Sequence, residues 1–285
     1  MNDGMIAFQQ SDAFLRAARA LDWPVAARED AGLRWIEHWR GPRWPSPVRL
    51  VSRGPGCRDW LAARGAEPCV TLLNAEGLSP GDLRRAGYWP LMTPVTLARL
   101  PLGHEAAMRA RMAQKWRNRL NAAARTGLEL RHVPMPADAD HWLLQADAAQ
   151  ARRAGYAAWP PALVVAWAVT SPGTAVLFEA RVSGRPVSGL ILLRHGPGAT
   201  YHVAHSRPEG RARHAMQALL WEAMLWAQAE SVREIDLGAI DTHGGRGLAR
   251  FKLGTGARPH RLSGTWGHHK VLAPLARRLP LSWAA

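Results

Sequence analysis

The strongest constraint on the fold lies between residues 138 and 238, where helical and strand patterns follow one another in a defined order. Two helical stretches precede three strands joined by tight turns, and a long helix then leads into a short apolar strand. In chain order these segments are 138–153, 161–169, Ala175–Val182, Val187–Arg194, Thr200–His205, 213–230 and Ile235–Gly238. A helix that crosses between strands favours a mixed sheet. We therefore expect an α/β (α+β) fold with a mixed central sheet flanked by helices.

The first half of the chain shows shorter patterns. Those typical of helices cover 10–21, 31–40 and 79–86, and those typical of strands cover Val48–Arg53, Pro68–Asn74 and Thr93–Leu100. A strand at Leu128–Arg131 follows Gly127, which stands at the expected end of a helix. We place a domain boundary near residue 130. It gives an N-terminal lobe, 1–130, ending in a basic helix, and a C-terminal lobe, 131–285, with a C-terminal helix.

The chain is strongly basic, with a net charge of +15 from 37 Lys and Arg against 22 Asp and Glu. Such a balance indicates a phosphate-rich partner, such as RNA, a nucleotide-linked substrate or an anionic membrane. Only three of the basic residues are lysines, Lys115, Lys252 and Lys270, and an arginine excess is also typical of a GC-rich genome. The position of the charges is therefore more informative than their sum.

Several classes of protein are disfavoured by the composition. No stretch reaches the roughly 18 uninterrupted apolar residues that span a bilayer, and residues 1–14 lack the pattern of a secretory signal. The two cysteines show no disulfide framework, and His243, His260, His268 and His269 form no metal-ligand pattern. We expect a cytoplasmic protein with no metal and no tightly bound cofactor.

Residues 104–126 predict one long helix with an unusual distribution of charge. Six cations and no acid occupy positions 109–125. At helical spacing an apolar stripe lies beside a charged stripe. The first consists of Met108, Met112, Trp116 and Leu120, and the second of Arg111, Lys115 and Arg119. A solvated face usually mixes signs, so this helix indicates an anionic ligand; the alternative is an arginine-rich surface helix.

Three segments, in this order and spacing, resemble the FemAB family of aminoacyl-transfer enzymes, which belong to the GNAT acyltransferase superfamily. Residues 115–130 are similar to the segment at the join of that family's two GNAT-like lobes. Upstream, Gly87–Leu97 is similar to a further stretch of the family. Downstream, the family's signature contains an Asp-x-Gly motif, which Glu234–Gly238 resembles, and a Phe-Lys motif, which Gly247–Lys252 resembles. The resemblance covers roughly residues 85–266 and implies tandem GNAT-like lobes.

In that family the lysine that matches Lys252 is implicated at the transfer centre, and the aromatic residue that matches Phe251 helps to hold it. The chemistry agrees with this role. An amine that attacks an ester or thioester creates an oxyanion, and a fixed cation stabilises the charge that appears only in the transition state. The alternative is a surface lysine that closes a helix.

The strand that ends at His205 matches the central GNAT strand, beside which the superfamily receives the acyl donor. Strand alternation predicts that Tyr201, Val203 and His205 share one face, with Tyr201 binding substrate. His205 is the candidate proton acceptor for the attacking amine, because its reference pKa lies near neutrality. A merely structural histidine is the alternative.

The loop Arg207–Ala212 is similar to the (Gln/Arg)-x-x-Gly-x-(Gly/Ala) pattern with which GNAT acetyltransferases bind the coenzyme A pyrophosphate. It makes Arg207, Gly210 and Ala212 candidates for donor phosphate binding, although Pro208 removes one N–H donor. Further candidates for the same role lie on the basic helix, at Lys115, Arg117 and Arg119.

Four more residues are candidates for substrate binding. Asp236 and Asp241 flank Gly238, where one of them would orient the acceptor amine; a turn-capping Asp is the alternative. Tyr156 and Trp159 lie where the superfamily often places its acceptor-binding loop. The tail Lys270–Trp283 predicts a C-terminal helix, which either packs on its own domain or touches a membrane interface.

These features together favour an N-acyltransferase that moves an acyl or aminoacyl group to a primary amine. The resemblance implies aminoacyl-tRNA as the donor and a peptide, a cell-wall precursor or a small molecule as the acceptor. The loop Arg207–Ala212 favours the alternative donor, an acyl-CoA such as acetyl-CoA. A non-catalytic RNA- or membrane-binding protein with the same fold is a further alternative.

Overall fold

The computed structural model describes residues 6–40, 47–241 and 244–278. The strands in these ranges are β1 (Val25–Asp30), β2 (Leu33–Arg40), β3 (Val48–Ser52), β4 (Val70–Ala75), β5 (Trp89–Met92), β6 (Thr96–Pro101), β7 (Glu129–Pro134), β8 (Ala175–Val182), β9 (Arg185–His195), β10 (Gly198–Ser206), β11 (Glu234–Ala239), β12 (Arg258–Arg261) and β13 (Gly264–His268). The α-helices are α1 (Asp12–Ala20), α2 (Arg58–Gly65), α3 (Pro80–Arg85), α4 (Glu105–Arg111), α5 (Gln114–Ala123), α6 (Trp142–Ala154), α7 (Pro161–Thr170), α8 (Pro208–Ala212), α9 (Ala215–Ala229), α10 (Arg246–Gly254) and α11 (Ala273–Ala276), with a 3₁₀ turn at Phe8–Gln10.

The chain forms two compact units, each built on its own mixed sheet. One unit comprises Met1–Phe8 with Leu97–His260, and the other comprises Gln9–Thr96 with Arg261–Ala285. The first sheet has the order β1-β2-β3-β4-β13-β5 and the second β12-β6-β11-β10-β9-β8-β7. The predicted α/β class, with mixed sheets flanked by helices, is confirmed.

The division differs from the predicted boundary near residue 130. β6 pairs with β11, and Met108, Trp116 and Leu120 share one hydrophobic core with α9, so residues 97–130 belong with the second sheet. Strand β13, near the end of the chain, pairs with β4 and β5 in the first sheet. Long-range strand pairing of this kind leaves no local signal in a sequence.

In the smaller unit, the prediction of a helix at 31–40 is wrong, because Leu33–Arg40 forms strand β2. Ala31 and Gly32 both have positive φ, at 50° and 74°, and they turn the chain into a hairpin in which β2 pairs with β1. Trp35 and Ile36 are fully buried there. A two-residue turn with positive φ at both positions is the hairpin connection that fits the twist of the strands.

The second sheet carries the predicted order of two helices, three antiparallel strands, a helix and a final strand. The hairpin at Ser183 and Gly184 is confirmed, with φ values of 48° and 75°. The long helix α9 packs its buried face against β8 and β9, and it leads into β11, which runs parallel to β10.

Strands β10 and β11 part after three paired residues. Their pairing ends at Thr200 opposite Asp236, whereas β10 continues to Ser206 beside β9. The two strands therefore open into a wedge beyond Thr200, as the match to the central GNAT strand implies.

A bulge in β10 changes which side chains share a face. The register shifts at His202, so that Tyr201 lies opposite Leu192 and Val203 lies opposite Ile191. Opposed residues share a face and neighbours along a strand alternate. The expectation that Tyr201 shares a face with Val203 and His205 is therefore wrong.

The predicted long helix at 104–126 is also wrong, because α4 and α5 are separate. Met112 and Ala113 between them are extended, each with ψ of 142°. The Ala113 N–H donates to the carbonyl oxygen of Gly254 at 2.9 Å, so a contact with α10 replaces a helical hydrogen bond. The apolar stripe survives the break, since Met108, Met112, Trp116 and Leu120 are all buried.

The predicted C-terminal helix is short. It covers Ala273–Ala276; Val271 before it is 70% exposed, and Leu275 within it is 63% exposed. The rest of the tail, from 279 onward, lies outside the described residues. Among the helices that are described, none combines the length and apolarity that crossing a membrane demands.

Candidate active site

Lys252 is a buried cation on α10, with 7% of its surface exposed. Its Nζ donates to the Ala239 carbonyl oxygen at 2.8 Å, and a Cβ added at Gly238 would lie 3.5 Å from it. Burial lowers the pKa of Lys252, and the charge of Asp236 opposes that shift. An ammonium has three N–H donors, so within the described residues two remain for a substrate. The alternative of a surface lysine does not fit this burial.

Asp236 and Gly238 lie beside this ammonium because β11 is irregular there. The pairing of β11 with β6 shifts register between Asp236 and Ala239, and Gly238 has a φ of +79°. Its N–H donates to Asp236 Oδ1 at 2.8 Å, and Asp236 is only 5% exposed. The structure thus brings together Asp236, Gly238 and Lys252, which the sequence separates by up to sixteen positions. Their roles in transfer stay predictions.

Asp241 is exposed and lies two residues beyond the end of β11. Its carboxylate accepts from the Gly244 N–H at 3.0 Å, which is the turn-capping arrangement given above as the alternative. His243 lies outside the described residues. No cluster of metal-ligating side chains occurs in the ranges that the structure describes.

A cavity of about 320 Å³ opens where β10 ends and α9 begins. Arginines line one part of it and apolar side chains another. Its lining consists of Arg119, Ser206, Gly210, Arg211, His214, Met216, Gln217 and Phe251. A helix N-terminus attracts negative charge, and α9 runs for 15 residues from this point. The cavity is therefore suited to an anionic group.

Two of the six residues predicted to bind donor phosphate line this cavity, Arg119 and Gly210. Lys115 is exposed and Ala212 does not line it. The Arg117 guanidinium instead bonds Gln114 and the Ala110 carbonyl oxygen. That of Arg207 lies over the Trp142 ring, 5.4 Å from its centre.

Gly210 lies directly against β9. A Cβ at this position would be 2.3 Å from Ser188 Oγ and 2.5 Å from the Val187 carbonyl oxygen. No other residue fits without displacing these atoms. Steric contact with β9 thus explains why a glycine occupies this position of the loop pattern, because the missing side chain allows α8 to pack close to the sheet.

Tyr201 and His205 lie on opposite faces of β10. The Tyr201 hydroxyl donates to Met216 Sδ at 3.4 Å, on the side of the cavity, and burial raises the pKa of Tyr201. His205 pairs with Gly189, whose face is covered by Trp142 and Leu143 of α6. Burial, with the charges of Arg211, Arg153 and Arg207, lowers the pKa of His205. Its role as proton acceptor stays a prediction, and it does not line the cavity.

Tyr156 and Trp159 lie between α6 and α7 and are 47% and 37% exposed. The Trp159 ring meets Phe8 edge-on at 5.8 Å, and the Tyr156 hydroxyl accepts from Gln150 at 3.5 Å. Neither lines the cavity, so their predicted part in acceptor binding concerns a different surface. The sequence interpretation missed Arg211, His214 and Gln217; the only signal for them was their place just after the loop glycine.

Comparison with known proteins identifies the family. The "Acetyltransferase (GNAT) domain" family matches residues 108–253, which is more than half of the chain. No curated protein matches significantly. Among solved structures, FemX superposes with a TM-score of 0.72 at 13% identity, over 95% of both chains.

Two further solved structures are similar. The C-terminal domain of a putative lysylphosphatidylglycerol synthetase from Agrobacterium fabrum has a TM-score of 0.59 at 16% identity, over 94% of this chain and 90% of that one. L-PGS from Bacillus licheniformis has a TM-score of 0.54 at 11% identity, over 99% and 100%. At such identities the structures show the fold, which confirms the FemAB resemblance at that level. The chain belongs to the GNAT acetyltransferase domain family, and it is an acyltransferase with a FemAB-like fold.

Proposed function

We propose that this acyltransferase moves an aminoacyl group from a tRNA donor to a primary amine, with the donor's phosphate-bearing end held in the cavity at the start of α9. The observation that carries the proposal is the position of this cationic cavity. It is bordered by Phe251, whose neighbour along the chain is the buried Lys252. Donor binding and transfer would thus meet on α10.

The basic surface of α5 supports an RNA donor. Arg119 borders the cavity and Lys115 lies one turn away; both are exposed, and neither forms an ion pair within the described residues. A tRNA offers a line of phosphates to such a surface. The name of one fold neighbour, a putative lysylphosphatidylglycerol synthetase, also refers to an aminoacyl group.

In the reaction, the neutral amine attacks the ester carbonyl carbon of the donor and forms a tetrahedral oxyanion. The Lys252 ammonium stabilises this negative charge with an N–H that Ala239 leaves unused. The amine loses a proton, the C–O bond to the ribose breaks, and the ribose oxygen takes up a proton. The products are an amide and deacylated tRNA.

An acyl-CoA donor is the second candidate, and the observation that favours it is the loop at Gly210. This residue and Arg211 border the cavity, and both belong to the segment Arg207–Ala212 that resembles a pyrophosphate loop. The same attack would then break a C–S bond and release a thiol.

A transfer assay with two labelled donors separates these candidates. The protein is incubated with ¹⁴C-aminoacyl-tRNA or ¹⁴C-acetyl-CoA and a panel of acceptors: lysine, a peptide with a free N-terminus and putrescine. We expect label to move to an amine from tRNA, and RNase treatment to abolish this transfer. Transfer from acetyl-CoA alone would establish the second candidate. Binding of tRNA with no transfer from either donor would contradict both and favour a non-catalytic RNA-binding protein.

A further inference from the structure

Gln217 is a buried polar side chain that nothing above explains. It lies in the first turn of α9, is 8% exposed and borders the cavity. Its side-chain amide makes no hydrogen bond within the described residues, and neither of its polar atoms is among the fully buried atoms without a partner, so the amide is reached by the water of the cavity. This amide is therefore available to whatever enters the cavity.

A purely structural role for Gln217 does not fit its contacts. A glutamine three positions after the helix N-cap can reach back to the N-cap N–H and close a capping box. Here the N-cap is His214, and its N–H already donates to the Arg211 carbonyl oxygen at 3.2 Å. The residues around Gln217 on α9 are apolar and buried, among them Ala218 and Leu219, so an apolar side chain would serve packing better.

The surroundings of Gln217 define the kind of ligand that fits. Arg119 and Arg211 supply cations, and the Phe251 ring supplies a flat apolar wall. The volume of about 320 Å³ is at the lower end of the range for ligand pockets. A flat group with a polar edge, attached to a phosphate, matches these three features.

We propose that Gln217 reads the base edge of an adenosine phosphate carried by the donor. A side-chain amide presents a donor and an acceptor side by side, which complement the N7 acceptor and the N6 amino group of adenine. Phe251 stacks on the base, and Arg119 and Arg211 pair with the phosphate. Both donor classes of the proposed function, on which this inference rests, carry such a group: tRNA at its 3′ end and coenzyme A in its nucleotide.

Titration of the full-length protein with AMP and GMP at fixed ionic strength tests the base preference. Guanine presents two acceptors where adenine presents an acceptor and a donor. We expect AMP to bind about tenfold more tightly than GMP. In Gln217→Met, which keeps the length of the side chain, this ratio falls to about one. Gln217→Glu keeps an acceptor for the N6 amino group but loses the donor to N7, so we expect it to weaken AMP binding itself.

The matched control is Gln228→Met, because Gln228 is exposed on the same helix and its loss leaves the AMP preference intact. Equal affinity of the unmodified protein for AMP and GMP would overturn the inference. So would a preference for AMP that survives in Gln217→Met.

Two further probes identify the source of the adenosine. Tighter binding of the trinucleotide CCA than of 3′,5′-ADP supports RNA, and the reverse supports coenzyme A. The inference and the proposed function fail separately. Transfer activity without an adenine preference overturns only the role of Gln217, and an adenine preference without transfer from any donor overturns only the enzymatic proposal.

Discussion

Substitution of Gly210 by alanine tests the steric basis of the loop beside the cavity. The added Cβ would lie 2.3 Å from Ser188 Oγ, 2.5 Å from the Val187 carbonyl oxygen and 3.0 Å from the Val187 carbonyl carbon. Two of these atoms belong to the backbone of β9. The Ser188 Oγ atom is held by a 2.7 Å hydrogen bond to the Ser206 hydroxyl, so none of the three atoms moves away freely.

The expected cost follows from this overlap. One methyl group forced into a packed site costs about 1–3 kcal/mol, and contact with strand backbone places Gly210→Ala in the upper part of that range. A loss of about 2–3 kcal/mol corresponds to a Tm lower by about 4–10 °C for a protein of this size. Donor affinity falls as well, because Arg211, the next residue after Gly210, and His214 at the start of α9 line the same cavity.

The assay is thermal unfolding followed by tryptophan fluorescence, with Gly247→Ala as the matched control. Gly247 also lies in a helix, but a Cβ there meets nothing within 4 Å. Alanine at this position should leave the Tm unchanged or raise it by about 1–3 °C, because it favours the helix. An equal Tm for Gly210→Ala and the unmodified protein would refute the packing of α8 on β9.

Two further predictions concern buried ionisable groups. Lys252→Met should lower kcat by a factor of about 10²–10³, while donor affinity changes by less than about twofold. The control, Lys270→Met at an exposed position, should leave kcat unchanged. A decrease in kcat shared by both variants would refute the role assigned to Lys252. Burial lowers the pKa of His268 to about 4, which is below the pKa of the same side chain in the unfolded protein. The neutral His268 therefore contributes fully to the free energy of unfolding above pH ~6.5, and this contribution is lost as pH falls toward ~4. Between pH ~7 and ~5 the loss amounts to about 2 kcal/mol. His268→Phe should therefore show a smaller decrease in Tm over that interval than the unmodified protein. The same pH profile of Tm in both proteins would contradict the prediction.

Local patterns predicted much of the larger unit. The order of strands β8, β9 and β10, the turn at Ser183 and Gly184, and the period of α9 each depend on neighbours along the chain, and all of them appear in the structure. The family resemblance singled out Lys252 as a candidate, but it did not predict that this lysine lies beside Asp236. The burial of Lys252 was not predicted either, because it involves contacts with the end of β11, which lies 13 or more positions earlier in the chain.

Features that depend on distant partners were beyond the sequence. The chain bends at Ala113 because its N–H bonds Gly254, 141 positions later, and the face of His205 depends on a bulge at His202. Gln217 looked like an ordinary helix residue. Only the position of α9 beside the end of β10 makes its amide part of a binding cavity.

The claim that the cavity holds the phosphate-bearing end of the donor is tested most directly by donor titration of two variants. Arg119 borders the cavity, and Lys115 lies one turn earlier on the same exposed face of α5 without bordering it. With the donor that supports transfer, Arg119→Gln should weaken binding by about tenfold, because a charge-assisted hydrogen bond is lost. Lys115→Gln should weaken it by no more than about threefold. Equal effects of the two variants, or none from Arg119→Gln, would contradict the account.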